Sequence, residues 1–363
     1  MQTVLLTGGS GYIGTHTCLT LLKSGFNVIV IDSNINSKKI ALTRVLEIYQ
    51  SSTQNYNNQL FFIRGDIRNG RLLNEIFEKA QGKNIPIEAV IHLAGLKSVR
   101  ESINNPLTYW DTNVCGSINL FKCMMKHNCN TIVFSSSATI YGIQEKGLSI
   151  KEDAILSPIN PYGENKFTIE KILKNIFDGS KKKWRIANLR YFNPIGADSS
   201  GLIGEEPRGI PNNIFPYICQ VAAGKIDELN IFGNDWPTKD GTCIRDYIHV
   251  VDLAEAHKSA LDYLNGKDSQ YVNLNIGTGN GTSVLELVKT FINVNGCNLK
   301  YKFGARRLGD PCQVVANNEL ALNTLEWEPK KNIEDMCRDG WRWQTYSREL
   351  IENPSNIKLQ NLF

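Results

Sequence analysis

The chain has 363 residues, 42% of them hydrophobic and 21% charged, with a formal net charge of +4 at pH 7. This length can bury a large core and supply two lobes or domains. Basic and acidic residues are interspersed, which excludes the basic stripe of a nucleic-acid-binding protein, and no apolar run reaches membrane-spanning length. The composition therefore favours a globular protein that acts on small molecules, and the slight positive charge suits an anionic one.

Cysteine and histidine are dispersed along the chain. None of the nine cysteines forms a Cys-x-x-Cys pair, and none is grouped with the five histidines at zinc-ligand spacing. An odd cysteine count without a disulfide framework is typical of reduced thiols in a cytoplasmic protein. The first residues begin a strand directly, without the charged and then apolar leader of a secreted protein. We expect a cytoplasmic protein without a metal site and without membrane attachment.

Apolar runs alternate with helical segments through the first half of the chain. Residues 3–7 and 27–32 are predicted to be buried strands, with a helix from Thr15 to Lys23 between them. The further predicted elements are strands at 60–66, 89–94, 131–135 and 184–190, and helices near 70–80, 107–127 and 162–177. This alternation predicts an α/β fold with a doubly wound parallel sheet, the Rossmann type.

The character of the sequence changes after Asn193-Pro194. Glycine, proline and asparagine become frequent through residue 240, and the alternation weakens. We expect a dinucleotide-binding domain at 1–192 and a smaller α/β substrate-binding lobe at 193–363, with the chain crossing back between the lobes. The polar segment 50–59 is predicted to be a surface loop.

The turn after the first predicted strand carries a glycine-rich motif, Gly8-Gly-Ser-Gly-Tyr-Ile-Gly14. Glycines let the backbone turn tightly and approach a pyrophosphate, to which the following helix presents its N–H groups. Asp32 lies 18 positions after Gly14 (32 − 14), at the end of the second predicted strand. A carboxylate there accepts from a ribose 2′-hydroxyl and repels a 2′-phosphate, so the motif predicts NAD rather than NADP.

Two further strand ends carry candidate ligand contacts. Asp66 follows the third predicted strand and Ala94-Gly-Leu-Lys97 the fourth, and doubly wound folds bind ligands at the carboxyl ends of their strands. A turn residue explains Asp66 equally well. His92 lies inside an apolar strand, and we interpret it as a core histidine rather than a catalyst.

Tyr162 and Lys166 are four residues apart, which places them on one face of a helix. A free tyrosine titrates near pH ~10. A nearby ammonium lowers that value, and so would the cationic nicotinamide ring, which makes the tyrosine a proton acceptor beside a hydride acceptor. Ser137 lies 25 positions earlier (162 − 137), just after the fifth predicted strand, and its hydroxyl is a candidate donor to the reacting oxygen. Together these residues predict the oxidation of an alcohol.

With these motifs assembled, the sequence resembles the extended short-chain dehydrogenase/reductase family and, within it, the UDP-galactose 4-epimerases, over nearly its whole length. The motifs that carry the resemblance are Thr7-Gly-Gly-Ser-Gly-Tyr-Ile-Gly14, Ala94-Gly-Leu-Lys97, Ser135-Ser-Ser-Ala-Thr139, Tyr141-Gly142, Pro161-Tyr-Gly-Glu-Asn-Lys166, Arg190-Tyr-Phe-Asn-Pro194, Ile210-Pro-Asn-Asn213, Ile231-Phe-Gly-Asn-Asp235 and Arg245-Asp-Tyr-Ile-His249. Glu164-Asn165 stands where the family usually has a basic residue and a serine, and we interpret both positions as spacers.

The resemblance implies a reaction cycle without net oxidation. Tyr162 takes the proton of the sugar 4-hydroxyl while the hydride passes to tightly bound NAD. Ser137 bridges the oxygen, and Lys166 holds the nicotinamide ribose and tunes Tyr162. The 4-keto sugar then turns about its diphosphate linkage and receives the hydride on its other face. Such a cycle interconverts UDP-galactose and UDP-glucose.

The resemblance also implies the binding residues. Those against the dinucleotide are Gly8, Gly11, Tyr12, Ile13, Gly14, Asp32, Asn36, Asp66, Ile67, Leu93, Ala94, Gly95, Lys97, Asn113, Ser135, Tyr162, Lys166 and Tyr191. Those against the UDP-sugar are Ser137, Thr139, Tyr162, Asn193, Asn213, Phe232, Arg245, Arg307, Asp310 and Val314. Arginines suit a diphosphate because their charged donors bind it in bidentate fashion, and Asp310 is a candidate acceptor for uridine ribose hydroxyls. We interpret His249 and His257 as structural.

One position bears on the choice of sugar. In these epimerases the residue four after the ribose-binding aspartate gates the space beside sugar C2, where a tyrosine excludes an acetamido group. This chain has Val314 there (310 + 4). We therefore expect activity on the N-acetylated UDP-hexoses, UDP-GlcNAc and UDP-GalNAc, as well as on UDP-glucose.

Three other functions stay open at this point. A sugar-nucleotide dehydratase or decarboxylase is disfavoured, because dehydratases carry an acidic pair where this chain has Ala138-Thr139. A UDP-glucuronate 4-epimerase would need a further cation near sugar C6. A non-catalytic NAD-sensing regulator is disfavoured by the presence of both Tyr162 and Lys166.

The family also implies a homodimer through the helices near 107–127 and 162–177.

Overall fold

The computed structural model describes residues 1–53, 59–144, 147–181, 183–206, 211, 213–307, 309–352 and 359–363, with side chains of the last helix described to residue 346. Residues 54–58 of the predicted surface loop lie outside this part of the chain. So do Ile210 and Asn212, which belong to one of the family motifs.

Strands and helices alternate along the described chain. The strands are β1 (Thr3–Thr7), β2 (Asn27–Asp32), β3 (Leu60–Arg64), β4 (Ile87–His92), β5 (Thr131–Ser137), β6 (Arg185–Tyr191), β7 (Asn193–Ile195), β8 (Leu229–Phe232), β9 (Ile244–His249), β10 (Gln270–Ile276), β11 (Gly281–Ser283), β12 (Tyr301–Gly304) and β13 (Gln313–Val314). The helices are α1 (Tyr12–Lys23), α2 (Ile40–Ser52), α3 (Gly70–Gly82), α4 (Val99–Asn104), α5 (Pro106–Tyr109), α6 (Gly116–Lys126), α7 (Pro161–Gly179), α8 (Ile214–Ala222), α9 (Val250–Asn265), α10 (Val284–Asn295), α11 (Glu319–Leu325) and α12 (Ile333–Glu352).

A seven-stranded parallel sheet with the order β10-β6-β5-β4-β1-β2-β3 forms the centre of the molecule. Every residue of β1 and β5 is buried, as expected of strands covered on both faces. One apolar layer joins the sheet to α1, α2 and α9, and the other joins it to α3, α6 and α7. The predicted α/β doubly wound fold is confirmed.

A smaller unit follows β6. Strand β9 pairs with β7, β11 and β13, and β8 pairs with β12. Helices α8, α10 and α12 pack over these strands in a third apolar cluster. Strand β10 returns to the central sheet beside β6, so the chain crosses back into the larger unit. The domain boundary at 192/193 stays a prediction.

Three elements differ from the sequence-based expectations. Helix α1 begins at Tyr12 rather than Thr15, because Gly11 already serves as its N-cap. Helix α2 occupies residues 40–52, so the first residues of the predicted loop 50–59 are helical. Its buried residues, such as Leu42, Val45, Leu46 and Tyr49, recur at helical spacing, and this signal was overlooked. The single helix predicted over 107–127 is α5, a π-helical turn at Trp110–Cys115, and α6.

The described residues include no helix that is both long and apolar enough to cross a membrane. They also include no group of three or more His, Cys, Asp or Glu side chains arranged to hold a metal ion.

Candidate active site

The glycine turn between β1 and α1 is packed too closely for any side chain. Gly8 has φ +72°, and a Cβ there would lie 2.8 Å from the Ala94 backbone nitrogen. A Cβ on Gly14 would lie 2.3 Å from the Gly8 carbonyl oxygen. Gly11 precedes α1 and has no side chain with which to cap the first N–H groups of the helix. The turn therefore leaves a helix N-terminus open to a phosphate group, which fits the pyrophosphate of NAD.

The Asp32 carboxylate is held at the end of β2. Its Oδ2 accepts from the Ser10 backbone N–H at 3.0 Å, and its Oδ1 accepts from the Asn34 N–H and the Ser37 hydroxyl at 2.8 Å each. The side chain is 8% exposed. Three donors, one from the glycine turn and two from the segment after β2, fix its orientation, so a ribose diol would meet a preorganised acceptor.

Asn113 fixes the loop that follows β4. Its Oδ1 accepts from the Leu96 N–H at 2.8 Å, and its Nδ2 donates to the Leu96 carbonyl at 3.0 Å. The π-helical turn carries this side chain, and such turns often occur at functional sites. Asn113 Nδ2 also lies 3.3 Å from Oδ1 of Asn165, which is fully buried. The interpretation of Asn165 as a spacer is therefore wrong.

Asp66 and His92 both have partners within the protein. Asp66 pairs with Arg68 at 2.7 Å, and this guanidinium lowers the pKa of the carboxyl. The His92 ring is bonded to the hydroxyls of Thr7 (2.7 Å) and Ser117 (2.9 Å), and burial lowers its pKa to about 3. The interpretation of His92 as a core histidine is confirmed, whereas a cofactor role for Asp66 stays a prediction.

Ser137, Tyr162 and Lys166 meet at the carboxyl end of β5. Ser137 is its last residue, and its hydroxyl lies close enough to the Tyr162 phenol to lower the pKa of that phenol. Tyr162 is the second residue of α7, whose N-cap Asn160 accepts from the Gly163 N–H at 2.9 Å. One turn further on, Lys166 Nζ donates to the Ser135 carbonyl at 2.6 Å and lies 5.8 Å from the Tyr162 ring centroid.

Burial sets the proton affinities of these groups. It raises the pKa of Tyr162 to about 12, and the hydrogen bond from Ser137 acts in the opposite direction. Burial of the phenol therefore outweighs the lowering that the sequence predicts from Lys166, and the tuning of Tyr162 by this lysine stays a prediction. Burial also lowers the pKa of Lys166 to about 7, against the attraction of the Glu170 carboxylate. The lysine therefore gains or loses its proton near neutral pH.

The search for motifs missed the carboxylate behind this lysine. Glu170 lies one helical turn beyond Lys166 and forms a bidentate pair with Arg190, with N–O distances of 2.8 and 3.1 Å. Both side chains are almost fully buried, and Ser136 donates to Glu170 at 2.5 Å. The spacing of four residues from Lys166 was the available signal.

The predicted substrate residues lie mainly at strand ends of the smaller unit. Arg245 of β9 is in register with Val314 of β13, and its guanidinium lies 3.7 Å from the Asp310 carboxylate. Arg307 lies over the Phe232 ring at 4.3 Å from its centroid. One guanidinium group therefore lies on β9, and the other lies against the aromatic face at the end of β8.

Val314 links that unit to the catalytic strand. It packs against an apolar cluster that includes Phe192 and also Ile140 and Tyr141, which lie three and four residues after Ser137. Thr139 donates its hydroxyl to Ser137 Oγ at 3.0 Å. The Val314 side chain is therefore near the reacting end of the site.

The remaining predicted residues are distributed around the same edge of the sheet. Tyr12 donates to the Gly196 carbonyl at 2.7 Å, and the Leu93 N–H donates to the Thr7 carbonyl at 3.1 Å. Ile13 is half-buried on α1 and Ile67 is buried, whereas Asn36 and Gly95 are exposed. Tyr191 ends β6, and its hydroxyl contacts His257. Asn193 begins β7, and Asn213 precedes α8. His249 and His257 are buried and bonded within the fold, His249 near Asp339 and His257 to the Leu253 carbonyl.

The fold and these residues define an NAD-dependent enzyme of the extended short-chain dehydrogenase/reductase class. The family model described as GDP-mannose 4,6 dehydratase matches residues 5–340. Among curated relatives, the bifunctional UDP-glucose and UDP-xylose 4-epimerase 1 of Pisum sativum is 48% identical over 94% of this chain and 95% of that protein. The UDP-glucose 4-epimerase of Bacillus subtilis is also 48% identical, over 94% of this chain and 96% of that protein.

A solved structure of a 4-epimerase is also similar to this chain over nearly its whole length. The UDP-glucose 4-epimerase of Stenotrophomonas maltophila, determined with bound NAD and formylated UDP-arabinopyranose, has a TM-score of 0.89 and 41% identity over 96% of this chain and 99% of that one. The chain belongs to the UDP-glucose 4-epimerase family.

Proposed function

We propose that the protein catalyses the 4-epimerisation of UDP-hexoses and interconverts UDP-galactose and UDP-glucose. The observation that carries this proposal is the set of Ser137, Tyr162 and Lys166, of which Ser137 and Lys166 are buried and Tyr162 is half-buried, beside a preorganised dinucleotide turn. Relatives that are named as UDP-glucose 4-epimerases, and a similar structure that holds NAD and a UDP-sugar, support it. Bound NAD accepts the hydride from sugar C4 and returns it to the opposite face.

The side chains divide the proton chemistry between them. Tyr162 removes the proton of the 4-hydroxyl and later returns it, and the Ser137 hydroxyl favours the phenolate by lowering the pKa of the phenol. The Ser137 hydroxyl is held in turn by Thr139. Lys166 supplies a positive charge one helical turn away when it is protonated, which favours the phenolate. Arg245 and Arg307 suit the diphosphate, so binding energy is concentrated on the part of the substrate that does not turn.

Incubation of purified protein with UDP-galactose, without added NAD, tests the proposal. We expect UDP-glucose as the product, since no net oxidant is consumed. Parallel incubation with UDP-glucuronate tests the related uronate epimerase. If NAD is bound but no UDP-sugar is converted, the regulator function is favoured instead.

Val314 supports a wider range of sugars. Its small side chain packs beside Tyr141 next to the catalytic strand end, where a tyrosine would occupy more of the space. We therefore expect epimerisation of UDP-N-acetylglucosamine as well as UDP-glucose. Val314→Tyr should lower the ratio of the first activity to the second, whereas Val314→Ala should not. An unchanged ratio in Val314→Tyr would contradict this role.

Assembly, location and domain division belong to the same proposal. A homodimer through α5, α6 and α7 is supported by Leu107 of α5, whose exposed fraction is 81%. Light scattering should give a dimer that Leu107→Glu weakens.

The nine cysteines, all within the described chain, are free thiols, which suits a cytoplasmic location. The proposed division remains a dinucleotide-binding unit at 1–192 and a nucleotide-sugar unit at 193–363.

A further inference from the structure

Glu205 follows β7 in the chain, and α12 packs against Glu205 and its neighbour Gly204. The Trp343 indole N–H donates to the Glu205 carbonyl at 3.0 Å. Gly204 packs flat against the same ring, since a Cβ there would lie 2.3 Å from the Trp343 Cγ. Trp343 is 6% exposed, and the Arg44 guanidinium lies over its ring at 5.6 Å. The backbone position of Glu205 is therefore set by packing.

One carboxylate oxygen of Glu205 receives donors from both ligand sites. Lys97 Nζ, from the dinucleotide loop after β4, lies 2.7 Å from Oε1. Asn213 Nδ2, from the residue that precedes α8, lies 3.3 Å from the same oxygen. Lys97 was assigned to the cofactor and Asn213 to the substrate, so Glu205 connects residues from the two groups.

Glu205 is more buried than the carboxylate of an ordinary surface ion pair. Its side chain is 10% exposed, although that of Lys97 is 59% exposed. The next residue, Glu206, pairs with Lys38, and those side chains are 43% and 49% exposed. A nearly buried carboxylate makes stronger charge-assisted hydrogen bonds than one in water, whereas exposed pairs contribute little. Holding a lysine in advance also reduces the entropy lost when it binds a ligand.

We propose that Glu205 is a positioning residue that holds Lys97 for the dinucleotide and Asn213 for the nucleotide-sugar through a single carboxylate oxygen. The inference rests on the proposed function only in its choice of a nucleotide-sugar as the second ligand. Both binding events are measured without turnover, so the test does not depend on epimerase activity.

Two binding measurements on the NAD-loaded full chain test the inference. The first is the exchange of bound NAD for isotopically labelled NAD, followed by mass spectrometry of the denatured protein. The second is the Kd of UDP by calorimetry. We expect Glu205→Gln to accelerate NAD exchange about tenfold and to weaken UDP binding about tenfold, since the hydrogen bond at each site loses its charged acceptor. Lys97→Gln should change mainly the first quantity and Asn213→Ala mainly the second.

Glu206→Gln is the matched control, because it removes the same charge one residue away and should leave both quantities within twofold. The inference is overturned if Glu205→Gln changes only one of the two quantities, or changes neither more than the control does. Should Glu205→Gln fail to fold, Glu205→Asp keeps the charge but withdraws the oxygen, and it should show the same paired loss. Absence of epimerase activity in the wild type would overturn the proposed function and leave these binding results interpretable.

Discussion

Removal of the Glu170 carboxylate should destabilise the protein strongly. Arg190 is 1% exposed and would lose its bidentate partner, keeping bonds only to the Tyr141 hydroxyl (2.9 Å) and the Glu152 carbonyl (2.8 Å). Loss of one member of a buried ion pair costs about 3–5 kcal/mol, because the remaining charge is left uncompensated. We therefore expect Glu170→Ala to lower the free energy of unfolding in urea by about this amount.

The same helix carries a matched control. Lys174 and Asp178 form a pair at 2.6 Å, with side chains 49% and 52% exposed. Exposed pairs at this spacing contribute about 0.3–0.5 kcal/mol, so Asp178→Ala should be nearly neutral. Equal effects of the two substitutions would refute the reasoning. Because Glu170 raises the pKa of Lys166, whose protonated form favours the phenolate, Glu170→Gln should also move the alkaline limb of the pH–rate profile to lower pH.

Three further results are expected. Tyr162→Phe should lower kcat about 10²–10⁴-fold with NAD content unchanged, because it removes the proton acceptor alone; near-normal turnover would contradict this role. Gly14→Ala should weaken NAD binding, since its Cβ would lie 2.3 Å from the Gly8 carbonyl oxygen, whereas Gly82→Ala meets nothing within 4 Å and should bind NAD normally in the same titration. Burial lowers the pKa of Lys166 from 10.5 to about 7, so between these values the unfolded chain binds more protons and wild-type stability should rise with pH. Lys166→Met should abolish that rise, as judged from unfolding midpoints at about pH 7.5 and about pH 9.5.

The features that could be predicted from the sequence are those with local causes. The turn at Gly8–Gly14 and the position of Asp32 follow from strand and helix lengths within one βαβ unit. The placement of Lys166 one turn above Tyr162 follows from the helical period. These two patterns were sufficient to predict the fold class, the cofactor and the type of chemistry.

The features that could not be predicted depend on contacts between distant segments. Glu205 meets Lys97 across 108 positions, and the irregular segment around it carries no periodic signal. Burial of the phenol raises the pKa of Tyr162, although the sequence predicts a lowered value. The spacing of residues along the sequence does not reveal this burial. Packing between distant segments also brings Val314 against the apolar cluster that contains Tyr141.

The sequence by itself determined which chemical groups the protein has and which of them share a turn or a helix face, because backbone geometry repeats over a few residues. The tertiary structure alone decided how strongly each group holds its proton and which distant side chains share a partner. Both properties depend on exclusion of water and on packing between segments that are far apart in the chain.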